Sequence, residues 1–349
     1  MSSATIRVLI ADDSPFVRRA FRRILGQEPT LEVVGEASDG EQALALCREL
    51  SPQVLLLDLG MPVLDGLGVL ERLRREKPEI AVVVVSAAAQ RGAEVTLLAL
   101  EAGAFDFVDK AAVKLMELHE LGGELIAKIK AAGERERFPA QARPAPRGAF
   151  GRPEVVVVGA STGGPPALLL LLSKLPASLS APVAVVQHIP ASFVGALAGR
   201  IAQATSRKVR VAERALPLDE GTISFCSGGR DLAVHRFRDG LTLLPRNPEP
   251  GAPHVPSVDA LFRSAAEVCG SRAWGVLLTG MGRDGAEGLL AIRKAGGLTV
   301  AQDETTSTVY GMPKVARELG AAFAVLSLHE IPGYLAGAVG GELEAITGA

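Results

Sequence analysis

Val155-Val156-Val157-Val158-Gly159-Ala160-Ser161-Thr162-Gly163-Gly164-Pro165 passes from four consecutive valines through a glycine turn into the leucine-rich stretch 168–175. A β-branched run with no polar alternation reads as a strand buried on both faces, as in a parallel sheet, and the leucines supply a helix that covers it. Residues 182–186 and 274–278 repeat the apolar run, and each ends in a polar turn flanked by glycine or proline. Such turns are where open α/β sheets hold their ligands. Between them, 209–244 breaks into short segments around Gly221, Gly228-Gly229 and Asp239-Gly240, which read as antiparallel hairpins. Nearer the N terminus, 7–11, 54–57 and 80–85 are further apolar runs. Stretches 31–34 and 104–108 read as two strands closer to the edges, and 16–25, 40–50 and 67–75 as amphipathic helices. The expected fold is α/β throughout, with two doubly wound parallel sheets in succession and an antiparallel hairpin in the second.

The chain has 349 residues, 48% hydrophobic and 22% charged, with a net charge of −2. That is about two domains of ordinary soluble composition. Residues 1–127 carry 13 basic and 20 acidic side chains, 128–152 carry 7 and 2, and 153–349 carry 17 of each. The basic middle stretch lacks an apolar period and is punctuated by prolines and glycines, so the expected division is a domain at 1–127, a linker at 128–152 and a domain at 153–349. No window reaches roughly 18 uncharged apolar residues, so membrane insertion is not expected. The segment before the first apolar run leaves no room for a signal peptide. Three widely spaced cysteines, Cys47, Cys226 and Cys269, suit neither a disulfide framework nor a zinc site. A reduced, cytoplasmic protein is expected.

Asp12 and Asp13 follow the first apolar run and Asp58 follows the third. Three carboxylates at one sheet edge repel one another, and magnesium, an oxygen-seeking cation that retains waters, relieves the repulsion and can position a phosphate. Ser86 and Lys110 end the fourth and fifth runs. A carboxylate nucleophile with magnesium, an ammonium and a hydroxyl can accept a phosphoryl group. Each aspartate alone would read as a turn or cap residue; the combination points to chemistry. These residues, with Asp58-Leu59-Gly60-Met61-Pro62, resemble the response-regulator receiver family over about 5–125, a flavodoxin-like fold. The resemblance implies phosphorylation of Asp58 by a partner histidine kinase, and Mg2+ held by Asp13, Asp58 and the Gly60 carbonyl with Asp12 behind them. It also implies switching through Ser86, Lys110 and the aromatic Phe107, although Phe107 reads equally well as core. Gly60 and Ala111 depart from the usual larger residue and proline.

In the second domain, Gly159–Gly164 admits two readings. Backbone amides at a strand-to-helix glycine turn can cradle a phosphate, although no lysine follows as in a P-loop. Gly159-Ala160-Ser161-Thr162-Gly163 also satisfies the G-x-S-x-G nucleophile turn. Of five histidines, His188 alone follows a buried run, in Gln187-His188-Ile189-Pro190; His119, His235, His254 and His329 lie elsewhere. Asp284, in Gly280-Met281-Gly282-Arg283-Asp284-Gly285, is the candidate acid, with a helix N-cap as its structural alternative. The order Ser, His, Asp differs from that of the α/β-hydrolases.

These motifs, with Pro256-Ser257-Val258-Asp259, Ala301-Gln302-Asp303-Glu304 and Tyr310-Gly311-Met312-Pro313, resemble the catalytic domain of the chemotaxis protein-glutamate methylesterases over about 154–335. A preceding receiver is that family's usual arrangement. The resemblance implies a Ser161–His188–Asp284 triad, an oxyanion hole including the Met281 amide, and Thr162 near the site. Its reaction is hydrolysis of glutamate γ-methyl esters on cytoplasmic chemoreceptor helices, with glutamine deamidation in some members, without a cofactor for the esterase. It also implies that the unphosphorylated receiver obstructs the catalytic face. Ile189, Asp231 and Val255 depart from the family's frequent methionine, histidine and arginine. A receiver-controlled, non-catalytic adaptor is the alternative reading. A DNA-binding regulator is disfavoured by the second domain's zero net charge and lack of a helix-turn-helix, so no nucleic-acid partner is expected.

Overall fold

The computed structural model describes residues 5–86, 90–110, 118–134, 150–248 and 254–340. The chain forms two compact units, 1–136 and 137–349. In the first, the elements are β1 (Ile6–Ala11), α1 (Pro15–Leu25), β2 (Leu31–Ala37), α2 (Gly40–Leu50), β3 (Val54–Asp58), α3 (Gly66–Glu76), β4 (Ala81–Ser86), α4 (Gln90–Glu101), β5 (Asp106–Asp109) and α5 (Leu118–Gly133). The strands are parallel in the order β2-β1-β3-β4-β5, the doubly wound arrangement with β1 and β3 adjacent. Every residue of β3 and β4 is buried, which is why their sequences carry no polar alternation. Ser14, Asp39 and Asp65 cap α1, α2 and α3 by accepting from the amides of Val17, Gln42 and Gly68, so each βα turn sets its helix start.

The expected linker begins too early. Residues 128–133 belong to α5, whose Leu125, Ile129 and Ala132 are buried at helical spacing. Lys128, counted in the basic stretch, is part of this helix. Its ammonium pairs with Glu124 at 2.6 Å and Asp106 at 3.4 Å, donates to the Phe107 carbonyl at 2.7 Å, and sits 5.3 Å above the Phe107 ring. Burial alone would lower its pKa; the two carboxylates outweigh it and hold the group raised.

The second unit contains β6 (Val155–Ala160), α6 (Gly164–Ser173), β7 (Val183–Gln187), α7 (Ala191–Ala204), β8 (Lys208–Ala212), β9 (Leu216–Pro217), β10 (Thr222–Cys226), β11 (Asp231–Phe237), β12 (Gly240–Arg246), α8 (Val258–Cys269), β13 (Ala273–Leu277), α9 (Ala286–Lys294), β14 (Thr299–Gln302), α10 (Met312–Glu318), β15 (Ala324–Leu326) and α11 (Ile331–Gly340). Seven strands form a parallel sheet in the order β15-β14-β13-β6-β7-β10-β8. The order reverses at β6, with β7 on one side and β13 on the other, so the crevice at their C-terminal ends is the topological switch point.

Segment 209–244 is only partly antiparallel. β8 and β10 join the main sheet in parallel, while β9, β11 and β12 form the separate antiparallel sheet. All five residues of β10 are buried, which a solvent-facing hairpin strand would not permit. Among the described residues, no helix is long and apolar enough to cross a membrane.

Candidate active site

The switch point brings three loops together. Ser161 follows β6, His188 follows β7 and Asp284 lies in the turn after β13. The sheet itself joins them: the Ser161 amide donates to the Thr279 carbonyl at 3.0 Å and the His188 amide to the Ala160 carbonyl at 3.0 Å. Buried glutamines brace the same ends. Gln187 Nε2 donates to the carbonyls of Ser161 (2.8 Å) and His188 (3.0 Å), and Gln302 Oε1 accepts from the Thr279 amide at 2.8 Å. The Thr279 hydroxyl donates to the carbonyl of buried Thr162 at 2.9 Å.

The acid and base are in contact. His188 Nε2 lies 2.8 Å from Asp284 Oδ2. Asp284 also accepts from the Ser257 hydroxyl (3.0 Å) and the amides of Val258 (2.7 Å) and Asp259 (3.0 Å). It therefore does not cap its own helix, where Gly285 is the N-cap; its carboxylate sits at the N terminus of α8. Burial alone would raise the Asp284 pKa, but the contact with His188 and the α8 amides pull it down to about 2. A carboxylate that stays ionised near neutrality thus meets the edge of the imidazole at Nε2.

With Nε2 on the carboxylate, the remaining ring nitrogen is Nδ1, which is buried and without a hydrogen-bond partner among the described residues. Among the described residues no hydrogen bond joins Ser161 to His188; the two lie at the ends of the adjacent strands β6 and β7. Ser161 itself is placed by Gly280. A Cβ at Gly280 would lie 2.7 Å from Ser161 Cβ and would also strike Met312 Sδ. Gly280 is outside the left-handed region, so space and not backbone strain requires glycine there. Gly280→Ala is expected to lower hydrolytic kcat by about 10²-fold through displacement of the nucleophile, leaving phosphoryl uptake by the first unit unchanged; parallel assays of both activities check this. The Met281 amide donates no hydrogen bond among the described residues.

Several contributors were not visible in the sequence. Asp231 is buried, and its Oδ1 accepts from the Ser257 amide at 2.8 Å, which steadies the start of α8. His254 stacks on His188, with ring centroids 4.6 Å apart and planes 18° from parallel. Ser257 was legible only as part of a motif. A serine immediately before a helical period at least signals an N-cap, and it is one here, accepting from the Ala260 amide three residues on.

In the first unit, carboxylate oxygens of Asp12, Asp13 and Asp58 lie within 4.8 Å of one another. Lys110 Nζ bridges Asp58 Oδ2 at 2.7 Å and Asp12 Oδ2 at 2.8 Å. Burial, reinforced by the Asp58 charge, raises the Asp12 pKa against the hydrogen bonds from Lys110 and the Ser14 amide. Burial would lower that of Lys110, yet the two carboxylates keep it raised. An all-carboxylate donor set with a spare anionic member fits a hard divalent cation. The Gly60 amide donates to Asp58 Oδ1 at 3.3 Å, and a Cβ at Gly60 would meet nothing within 4 Å. Buried Ser86 donates its hydroxyl to the Gly92 carbonyl at 3.3 Å, and Phe107 is buried against Lys128. Ala111 lies outside the described residues.

Comparison with known proteins gives matches along both units. The CheB methylesterase family matches residues 156–335, and the response regulator receiver domain family matches 8–121. The chain is 45% identical over 327 residues to protein-glutamate methylesterase/protein-glutamine glutaminase 5 of Myxococcus xanthus, covering 91% of this chain and 93% of that protein. It is 38% identical over 344 residues to a protein of the same name from Pyrococcus abyssi, covering 95% and 93%. Among solved structures, the Thermotoga maritima CheB methylesterase catalytic domain is 34% identical and covers 52% of this chain and 97% of its own, with a TM-score of 0.51.

Proposed function

The chain belongs to the CheB methylesterase family with an N-terminal receiver domain, and on that premise we infer that it hydrolyses glutamate γ-methyl esters of chemoreceptors through Ser161, His188 and Asp284, under the control of phosphorylation at Asp58. The observation that carries the chemistry is the His188–Asp284 contact at 2.8 Å beside Ser161 at the switch point. Ser161 Oγ attacks the ester carbonyl while His188 accepts its proton at Nδ1, the nitrogen not engaged by Asp284. The carbonyl oxygen takes the negative charge and meets backbone amides that include Met281. Collapse expels methoxide, which leaves as methanol with the proton from His188, and a γ-glutamyl ester on Ser161 remains. His188 then deprotonates a water that attacks this ester; Ser161 recovers its proton and glutamate is released. With a glutamine side chain the same sequence expels ammonia, which is the glutaminase activity in the relatives' names.

In the receiver, Asp58 is the acceptor carboxylate, and Asp13, Asp58 and the Gly60 carbonyl, with Asp12 behind them, would hold Mg2+. When bound there, the ion offsets charge on the phosphoryl oxygens. Lys110 already touches Asp58 and offers its ammonium to the same oxygens. On this reading Ser86 gives up its bond to Gly92 to reach them, and Phe107, which packs beneath Lys128, is the aromatic that follows. The phosphodonor is a histidine kinase and the substrate a methylated receptor helix, which suits a cytoplasmic enzyme.

Incubation with acetyl phosphate and Mg2+ is expected to add one acid-stable, hydroxylamine-labile acyl phosphate per chain and to raise methanol release. Asp58→Asn is expected to take up none and to lose the stimulation entirely. Stimulation that survives in Asp58→Asn sinks the assignment of Asp58.

A further inference from the structure

Segment 254–259 touches both members of the acid–base pair. Ser257 Oγ and the amides of Val258 and Asp259 hold the Asp284 carboxylate at 2.7–3.0 Å, and the His254 ring lies flat on His188 at 4.6 Å. One short stretch of chain therefore fixes where the carboxylate sits and which way the imidazole faces. The reaction above requires His188 to keep Nε2 on Asp284 while Nδ1 exchanges a proton. No other hydrogen bond holds the ring among the described residues, since Nδ1 has no partner. A ring so held can still swing about its side-chain bonds, and the His254 ring stands stacked in the way.

We propose that His254 is a positioning residue of the esterase, its ring clamping His188 with Nε2 on Asp284 and Nδ1 toward the nucleophile. The inference rests on the triad reading above and adds a fourth side chain to it. The stack also has an electrostatic consequence. While His254 is neutral, its π face covers the imidazolium that forms as Ser161 loses its proton. Burial and the His188 charge both push the His254 pKa down, against a smaller opposing pull from Asp284, which favours that neutral form. A cation in its place would oppose the imidazolium at 4.6 Å, an effect on the order of 10²-fold in rate. His188 and Asp284 are the titratable groups acting on it directly; the cavity it borders also carries Asp231, Arg246, Asp259, Arg263, Glu267, Arg283 and Glu287. Of these, Arg263 and Arg283 are paired with Glu287.

The test compares full-length wild type with His254→Ala, His254→Phe and His254→Lys by methanol release from methylated receptor membranes, between about pH 6 and about pH 9. His254→Ala is expected to lower kcat by about 10- to 10²-fold with KM within about twofold, because the ring moves and the substrate contacts do not. His254→Phe restores the flat neighbour and is expected within about threefold of wild type. His254→Lys is expected to lower the plateau and move the acid limb of the pH–rate profile to lower pH, since a fixed cation resists a second charge beside it. Thermal melts verify that each variant is folded, and Asp58 phosphoryl uptake that its first unit is intact. An alanine variant as active as wild type overturns the proposal, as does a phenylalanine variant as impaired as alanine. Ser161→Ala in the same assay tests the triad separately: it must be inactive where His254→Ala is merely slowed.

Discussion

Asp284→Asn is expected to lower kcat by about 10⁴-fold while leaving the fold of both units in place. Among the described residues the carboxylate is the only anion touching His188, at 2.8 Å, and it offsets the imidazolium that forms as Ser161 gives up its proton. An amide of the same shape supplies no charge, and its NH2 group can turn toward Nε2 and reverse the tautomer. The same substitution has a stability signature. The Asp284 pKa is about 2 in the folded chain against an ordinary 3.8. A depressed carboxyl contributes stability above its unfolded value, about 2 kcal/mol here, and loses it as pH falls from about 4 to about 2. Denaturant melts should therefore show wild type more stable than Asp284→Asn near neutrality, with the gap closing across that acid window. A gap that does not change with pH would contradict the ionised state assigned to Asp284.

Ser161→Ala carries the largest expected effect, a fall in kcat of about 10⁶-fold, with the residue of activity supplied by the oxyanion amides alone. The substitution removes only the hydroxyl. The Ser161 amide keeps its bond to Thr279, and Cβ, against which Gly280 packs, remains. KM and receiver phosphorylation should be unaffected, so loss of methanol release in a protein that still takes up phosphate isolates the nucleophile.

Ser161, His188 and Asp284 were legible because each stands at the end of an apolar run beside glycine or proline, and a doubly wound sheet gathers such ends at its switch point. Asp12, Asp13 and Asp58 were legible for the same reason at the β1–β3 edge. Asp284 capping α8 was not legible: its partner Val258 lies 26 residues upstream, and local spacing favours the N-cap of the helix that follows. His254 carries no strand-end signal, and only its stacking on His188 gives it a place in the site. The glycines and short runs around β8 and β10 look alike in a hairpin and in a parallel sheet; sheet membership is a long-range choice made by burial. Lys128 was read as linker charge for want of its partner Asp106, to which the fold brings it.

The most direct test of the central claim is methanol release from methylated receptor membranes by wild type, Ser161→Ala and Asp58→Asn, each with and without acetyl phosphate and Mg2+. The expected result is release by wild type that rises with the phosphodonor, release by Asp58→Asn that does not rise, and none above background by Ser161→Ala. Release by Ser161→Ala at the wild-type rate would contradict the account.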